Sequence, residues 1–75
     1  MEDSERLKKI GLRVTELRLM KNLTKTDLGN LCDIERPSIA RIESGKTNPT
    51  YLTLVKLAKA LEVSVADIVT YKGCI

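Results

Sequence analysis

The chain has 75 residues, enough for one small domain that buries about 60% of the surface its unfolded chain exposes. Its hydrophobic content of 43% is almost entirely aliphatic, with no Trp or Phe, and this composition favours a helical core. The net charge of +3 permits a polyanionic partner, whereas a membrane protein is not expected because no run of about 18 apolar residues occurs.

The first predicted helix runs from Ser4 to about Lys21. Its apolar residues recur at steps of three and four, which places them in one stripe along a helix. The stripe that we expect to face the core consists of Leu7, Ile10, Val14, Leu17 and Met20. The first residues, "MEDSERLKK", include acidic side chains and no apolar segment, so they are not a secretory signal and we expect a cytoplasmic protein.

The second predicted helix begins after Thr24. Thr24 and Asp27 have the spacing of a capping box, in which each side chain bonds the backbone amide of the other residue. We expect Leu28 and Leu31 to face inward. The helix should end at Asp33, where a sharp turn starts.

The third predicted helix covers roughly residues 36–44. Pro37 suits a first helical turn because the amide that it lacks would be unpaired there. Gly45 is a favourable residue just after a helix end. We expect Ile39 and Ile42 to face inward.

Two further helices complete the prediction. Thr50 can cap a fourth helix, and Ser64 with Asp67 repeats the capping-box spacing before a short fifth helix through Ile68 and Val69. The fourth helix is apolar almost all round and should be central to the core. Its apolar residues are Leu52, Leu54, Val55, Leu57, Ala58 and Leu61.

The five helices predict one compact all-α domain over residues 1–75, with an ordered core at about 4–70 and short loose ends. The second and third helices have the pattern of a helix-turn-helix, with Gly29 where the two must approach closely. Four apolar residues would lock the pair together: Leu28, Ile34, Ile39 and Ile42. In that motif the second of the two helices enters the major groove of DNA.

From about Ile10 to Val69 the sequence resembles the Cro/C1-type (XRE-family) helix-turn-helix repressors. The segments "LTKTDL", "SIARIESGKTNPT", "LVKLAKALEVS" and "ADI" carry the resemblance, each at the family's spacing. It implies a five-helix bundle of the lambda-repressor-like type that binds a palindromic operator in double-stranded DNA as a homodimer. It also implies that the third helix reads the DNA, and that Arg18 forms a structural salt bridge with Glu43.

Two positions depart from the family pattern. Lys25 stands where the family usually has Gln, and Lys is better suited to a point contact with phosphate or guanine. Asp33 stands where the turn commonly has Gly, and Asp tolerates the left-handed conformation at some cost. Because Lys25 replaces Gln, the operator sequence cannot be inferred from the operators of other family members.

The expected DNA contacts lie on the third helix and in the loops around it. Arg36 and Arg41 can each make paired hydrogen bonds to guanine, worth about 1–3 kcal/mol of discrimination. Pro37 could touch a thymine methyl, and Glu35 could accept from a cytosine amine or cap the helix. Backbone contacts are expected from Thr24, Lys25, Ser38, Lys46, Thr47 and Asn48.

A dimer surface is expected at the fifth helix and the tail, which carry more apolar residues than so short an end needs. The residues assigned to it are Val65, Ile68, Val69 and Ile75. Tyr51, Leu52 and Leu54, at the start of the fourth helix, could be core or could help such an interface. The resulting protein would be a transcriptional regulator, most often a repressor that occupies a promoter.

An alternative on the same fold is a protein-interaction module, such as an antitoxin that binds a toxin or a factor that contacts the transcription machinery. An enzyme is not expected, because the chain has no His and no glycine-rich phosphate loop. Cofactors, metals and small-molecule ligands are not expected either, since Cys32 and Cys74 lack companion ligands. Cys32 should be a core residue, and the two Tyr are too few to suggest stacking on RNA bases.

Overall fold

The computed structural model describes residues 2–70, which fold into five α-helices in the predicted order. The helices are α1 (Asp3–Met20), α2 (Lys25–Cys32), α3 (Arg36–Glu43), α4 (Tyr51–Leu61) and α5 (Val65–Val69). Within that part of the chain there is no strand. α3 packs on α1 and α2, while α4 and α5 pack on each other and on α1. The predicted all-α bundle, with a helix-turn-helix formed by α2 and α3, is confirmed.

Both predicted capping boxes are present. At the start of α2, Thr24 Oγ1 accepts from the Asp27 amide at 3.0 Å, and Asp27 Oδ2 accepts from the Thr24 amide at 2.9 Å. Ser64 and Asp67 make the same pair of bonds at the start of α5, at 3.1 and 3.0 Å. Thr50 caps α4 by accepting from the amide of Thr53. These bonds satisfy amides that a helix start leaves unpaired, and so they fix where the helices begin.

The start of α3 has no such cap. Glu35 occupies the capping position, but its side chain makes no capping hydrogen bond, so of its two expected roles the helix cap is not the one observed. Pro37 lies in the first turn, where the amide that it lacks would have no helical partner. The Glu35 side chain is therefore exposed and uncommitted at the tip of the helix.

Left-handed residues close the ends of the two helices of the motif. Gly45, with φ of +75°, follows α3; its amide donates to Ile42 O, and the Lys46 amide donates to Arg41 O at 3.0 Å. These are the two hydrogen bonds of a Schellman motif. Asp33 adopts φ of 57° after α2, as expected for a residue standing where the family prefers Gly.

The core is built from one face of each helix. Among the described residues, ten apolar side chains are buried: Val14, Leu17, Leu28, Cys32, Ile39, Ile42, Leu57, Ala58, Leu61 and Ile68. Their side chains are aliphatic apart from the thiol, and all five helices contribute to the set. Packing of these amphipathic faces, rather than helix propensity, supplies most of the stability of helices this short.

Three residues expected in the core are exposed instead. Met20 is 71% exposed in the last turn of α1, and Leu31 is 61% exposed because Leu28, Gly29 and Cys32 define the inward face of α2. Leu52 is 70% exposed, since Leu54, Leu57, Ala58 and Leu61 define the face of α4 that packs on the core. α4 is therefore buried along one face, not all round, and the core is smaller than the apolar pattern implied.

Candidate nucleic-acid interface

The angle between α2 and α3 is fixed by direct contact between backbones. A Cβ on Gly29 would lie 2.4 Å from Ile34 O, so no larger residue fits there without movement of the turn. The Ile34 amide donates to Gly29 O at 2.8 Å across the same contact. Leu28 and Ile39, both fully buried, fill the space between the two helices. The turn therefore holds α3 in one orientation relative to α2.

α3 has a buried face and an exposed face. Ile39 and Ile42 are buried in the core, while the outer face carries exposed polar and charged residues. The residues predicted to contact bases are all exposed on that outer face: Glu35, Arg36, Pro37 and Arg41. Arg41 Nη2 donates to Ser38 Oγ at 3.4 Å, which orients the guanidinium along the helix.

The start of α2 adds donors beside α3. Thr24 is exposed, and its hydroxyl oxygen accepts the Asp27 amide at the first turn of the helix. Lys25 follows it and is half-buried. Amides in a first helical turn have no partner within their helix, so they point outward as donors. The positive end of the α2 dipole lies at the same place.

The loop between α3 and α4 lies beside the outer face of α3. Lys46 and Asn48 are exposed and Thr47 is half-buried. A cavity of about 320 Å³ separates this loop from α3, and its polar lining includes Ser38, Arg41, Thr47, Asn48 and Thr53. This lining supplies hydroxyl, amide and guanidinium donors and no carboxylate, a combination that suits an anion.

Arg18 and Glu43 form a buried ion pair between α1 and α3. Arg18 Nε donates to Glu43 Oε2 at 2.7 Å, and Nη2 donates to Oε1 at 3.1 Å. Arg18 Nη1 also donates to Leu23 O at 2.8 Å. Each residue is only 8% exposed, so the Glu43 carboxylate is occupied inside the protein and is not available to DNA.

Two further α1 residues complete this contact, and sequence reasoning missed both of them. Thr15 Oγ1 lies 2.8 Å from Glu43 Oε1, as a third donor to the carboxylate, and also 2.9 Å from Gly11 O. A Cβ on Gly11 would lie 2.3 Å from Glu43 O, so α1 and α3 touch through their backbones. The signal was available: Gly11 and Thr15 precede Arg18 at the spacing of one helix face.

The predicted dimer residues do not share one surface. Ile68 is fully buried in the core, so its assignment to an interface is wrong; it lies on the inward face of α5, whereas Ala66 and Val69 lie outward. Val65 is half-buried against the core, and Val69 is 43% exposed. Ile75 lies outside the described residues. On α5, Val69 is the exposed large apolar side chain, and the small side chain of Ala66 is exposed as well.

Cys32 is a core residue, as predicted. It is buried, its Sγ lies 3.6 Å from Lys56 O, and this burial raises the pKa of its thiol. No cluster of potential metal-binding side chains occurs within residues 2–70. In the same part of the chain, no helix has the length and apolar character needed to cross a bilayer.

Comparison with known proteins agrees with this architecture. A family model described as helix-turn-helix matches residues 14–68. The HTH-type transcriptional regulator y4dJ of Sinorhizobium fredii is 35% identical over 84% of this chain and 82% of its own length. The control protein C.SmaI of Serratia marcescens is 35% identical over 80% of this chain and 71% of its own.

Among solved structures, the restriction-modification controller protein C.AhdI of Aeromonas hydrophila superimposes with a TM-score of 0.81 and 32% identity. The match covers 83% of this chain and 94% of C.AhdI. These relatives are regulators and not enzymes, in agreement with the sequence. The chain belongs to the XRE-type helix-turn-helix family of transcriptional regulators.

Proposed function

We propose that this regulator binds specific double-stranded DNA sequences in the cytoplasm, as a homodimer on a palindromic operator, and acts as a repressor. The observation that carries the proposal is the outer face of α3. It presents Arg36 and Arg41, neither of which forms an ion pair within residues 2–70. This face lies between the start of α2 and the loop after α3, two segments rich in hydrogen-bond donors. A protruding helix with this composition matches the shape and charge of a major groove.

Base recognition is assigned to the outer face of α3. Arg36 and Arg41 offer planar guanidinium groups, which can donate two parallel bonds to guanine O6 and N7. Glu35 can accept from a cytosine amine, and Pro37 can contact a thymine methyl group. Because Glu35 is not used as a helix cap, its carboxylate is available for this contact.

Affinity is assigned to the segments on either side of α3. Thr24 and Lys25 would meet one stretch of sugar-phosphate backbone, with help from the free amides and the dipole of α2. Lys46, Thr47 and Asn48 would meet another stretch, in which Ser38 joins them across the cavity. Contacts of this kind fix register and weaken as salt rises, because cations that neutralise phosphates release counterions.

A homodimer places two copies of α3 about 34 Å apart, one turn of DNA. Val69 supplies exposed apolar surface on α5 next to the tail that contains Ile75, and we assign the dimer contact to this end of the chain. A two-fold dimer would read a site with two inverted half-sites, which is why a palindrome is expected. The kinship to control proteins of restriction-modification systems supports a role in transcription control.

Selection of bound duplexes from a random DNA library tests this proposal. We expect enrichment of one motif with two inverted half-sites, and at least 10³-fold tighter binding to it than to an unrelated duplex of the same length. Failure to enrich any motif, combined with equal binding to every duplex, would contradict the proposal of sequence-specific DNA binding. The protein-interaction alternative would then be the one to pursue, with a toxin or the transcription machinery as partner.

A further inference from the structure

Lys8 lies on the face of α1 that holds the end of α3. Lys8, Gly11, Thr15 and Arg18 follow each other at steps of three, four and three, so they share one side of the helix. Gly11 touches the α3 backbone, while Thr15 and Arg18 both donate to Glu43. Lys8 therefore continues this face by one turn, toward the loop that follows α3.

The stem of Lys8 packs directly against that loop. A Cβ on Gly45 would lie 2.7 Å from both the Cα and the Cγ of Lys8, so only a glycine fits between the loop and α1. The Lys8 ammonium is three bonds beyond this contact, and the residue as a whole is exposed. Lys46 follows Gly45 directly and is also exposed, so the backbone of a second exposed lysine lies close to the stem of Lys8.

Neither of these lysines is neutralised by the protein. Within residues 2–70, no carboxylate lies at ion-pair distance from Lys8 or Lys46, whereas Arg13, Arg18 and Lys21 each have an acidic partner. An exposed ammonium without a carboxylate partner is a compact charge well suited to a phosphate. The position of Lys8 beside the loop places that charge next to the segment assigned to the DNA backbone.

We propose that Lys8 binds a DNA phosphate, so that α1 extends the backbone contact beyond the helix-turn-helix and its flanking loop. The inference rests on the DNA binding proposed above. A phosphate contact contributes affinity to every DNA sequence alike, so Lys8 strengthens binding without reading bases. The Gly45 contact holds the stem of Lys8 in place, which reduces the entropy lost when the ammonium meets a phosphate.

The salt dependence of binding to a fluorescent duplex of random sequence tests the role of Lys8. The variant Lys8→Gln keeps the Cα and Cγ that lie against Gly45 and removes the charge. We expect the slope of log affinity against log salt concentration to fall by about 0.9, the value for one lost phosphate contact. The ratio of the wild-type affinity to the Lys8→Gln affinity should then fall by roughly 3.5-fold between 50 and 200 mM salt.

Two matched variants separate a contact from a change in net charge. Lys59→Gln removes an equal charge from an exposed site in the last turn of α4, and its slope should remain that of the wild type. Lys8→Arg should keep the wild-type slope because it keeps the charge. The proposal fails if Lys8→Gln and Lys59→Gln behave alike. If the wild type binds neither this duplex nor the selected motif, DNA binding itself is wrong.

Discussion

Glu43 belongs to the helix that we assign to the major groove, yet its carboxylate is turned into the protein. Three donors hold it there: two nitrogens of Arg18 and the hydroxyl of Thr15. With this many donors, the hydrogen-bonding need of the buried carboxylate is met inside the protein. The Arg18–Glu43 ion pair therefore fixes the position of α3 relative to α1.

Replacement of Arg18 by Met should show how much the stability of the contact between α1 and α3 depends on pairing of the buried Glu43 charge. Arg18→Met leaves the Glu43 carboxylate buried without its cation, and we expect the free energy of unfolding in urea to fall by about 3–5 kcal/mol. The double variant Arg18→Met/Glu43→Leu should recover most of that loss, because no buried charge remains.

Lys21→Met is the control for this series. Lys21 pairs with Glu62 on the surface, where solvent weakens the attraction, so its removal should change the urea midpoint far less. Equal losses for Arg18→Met and Lys21→Met would show that the buried pair is no more than a surface contact. A double variant no more stable than Arg18→Met would contradict the role assigned to the buried charge.

At the scale of helices, local chemistry determined the boundaries and tertiary packing determined the faces. Helix starts and ends can be predicted from residues such as Thr24, Asp27 and Gly45, because their capping bonds and dihedral angles involve only neighbouring residues. The burial of Leu31 and Ile68 was predicted wrongly, since it depends on which helix lies opposite. Apolar periodicity shows that a face is buried, but it does not show how far a neighbouring helix extends along it.

The same distinction applies to the candidate site. The exposed face of α3 followed from the positions of Ile39 and Ile42 in a short helix, and was predictable from the sequence. The contact of Gly11 with Glu43 joins residues that are distant along the chain. The helical spacing of Gly11 and Arg18 indicates a shared face, but it does not identify the helix that packs against that face. The cavity beside Arg41 likewise depends on the path of the loop after α3.

The capping boxes predict how stability responds to acid. Bonds from the amide and hydroxyl of Thr24 lower the pKa of Asp27 below its usual 3.8, and Ser64 lowers the pKa of Asp67 in the same way. A depressed pKa in the folded state means that these carboxylates stabilise the fold above about pH 4. That stabilisation disappears as the pH falls through the lowered values.

Thermal unfolding across pH measures this effect. The wild-type Tm should be nearly constant from pH 7 to 5 and should fall below about pH 4. The double variant Asp27→Asn/Asp67→Asn should have a lower Tm at pH 7 and a shallower decline in acid. Its difference from the wild type should shrink toward pH 2, where both wild-type carboxyls take up protons. A constant difference from pH 7 to pH 2 would show that the charge of the caps does not matter.

At the scale of the whole molecule, the proposed activity requires two copies in a fixed relation. On α5 the core takes Ile68 and part of Val65, so Val69 is the large apolar side chain that the helix leaves exposed for a dimer contact. Two-fold symmetry would place Val69 at the interface twice, once from each copy. A single substitution there changes both halves of the contact.

Val69→Asp should therefore weaken the dimer. An unpaired carboxylate would replace apolar surface, and we expect the dimer dissociation constant from analytical ultracentrifugation to rise at least tenfold. Leu52→Asp is the matched control, because Leu52 is equally apolar and 70% exposed, but lies on α4. If Leu52→Asp dissociates the dimer and Val69→Asp does not, the interface lies at the start of α4 instead.

The central claim is that α3 reads bases through Arg36 and Arg41, and a coupling measurement between protein and DNA tests it most directly. Affinities of the wild type, Arg36→Ala and Arg41→Ala would be measured on the selected duplex and on duplexes with each G·C pair changed singly. We expect each arginine to show a coupling of about 1–3 kcal/mol with one G·C pair in each half-site, and none with the others. An equal loss of affinity on every duplex would contradict the claim and would show that both arginines contact phosphate and not bases.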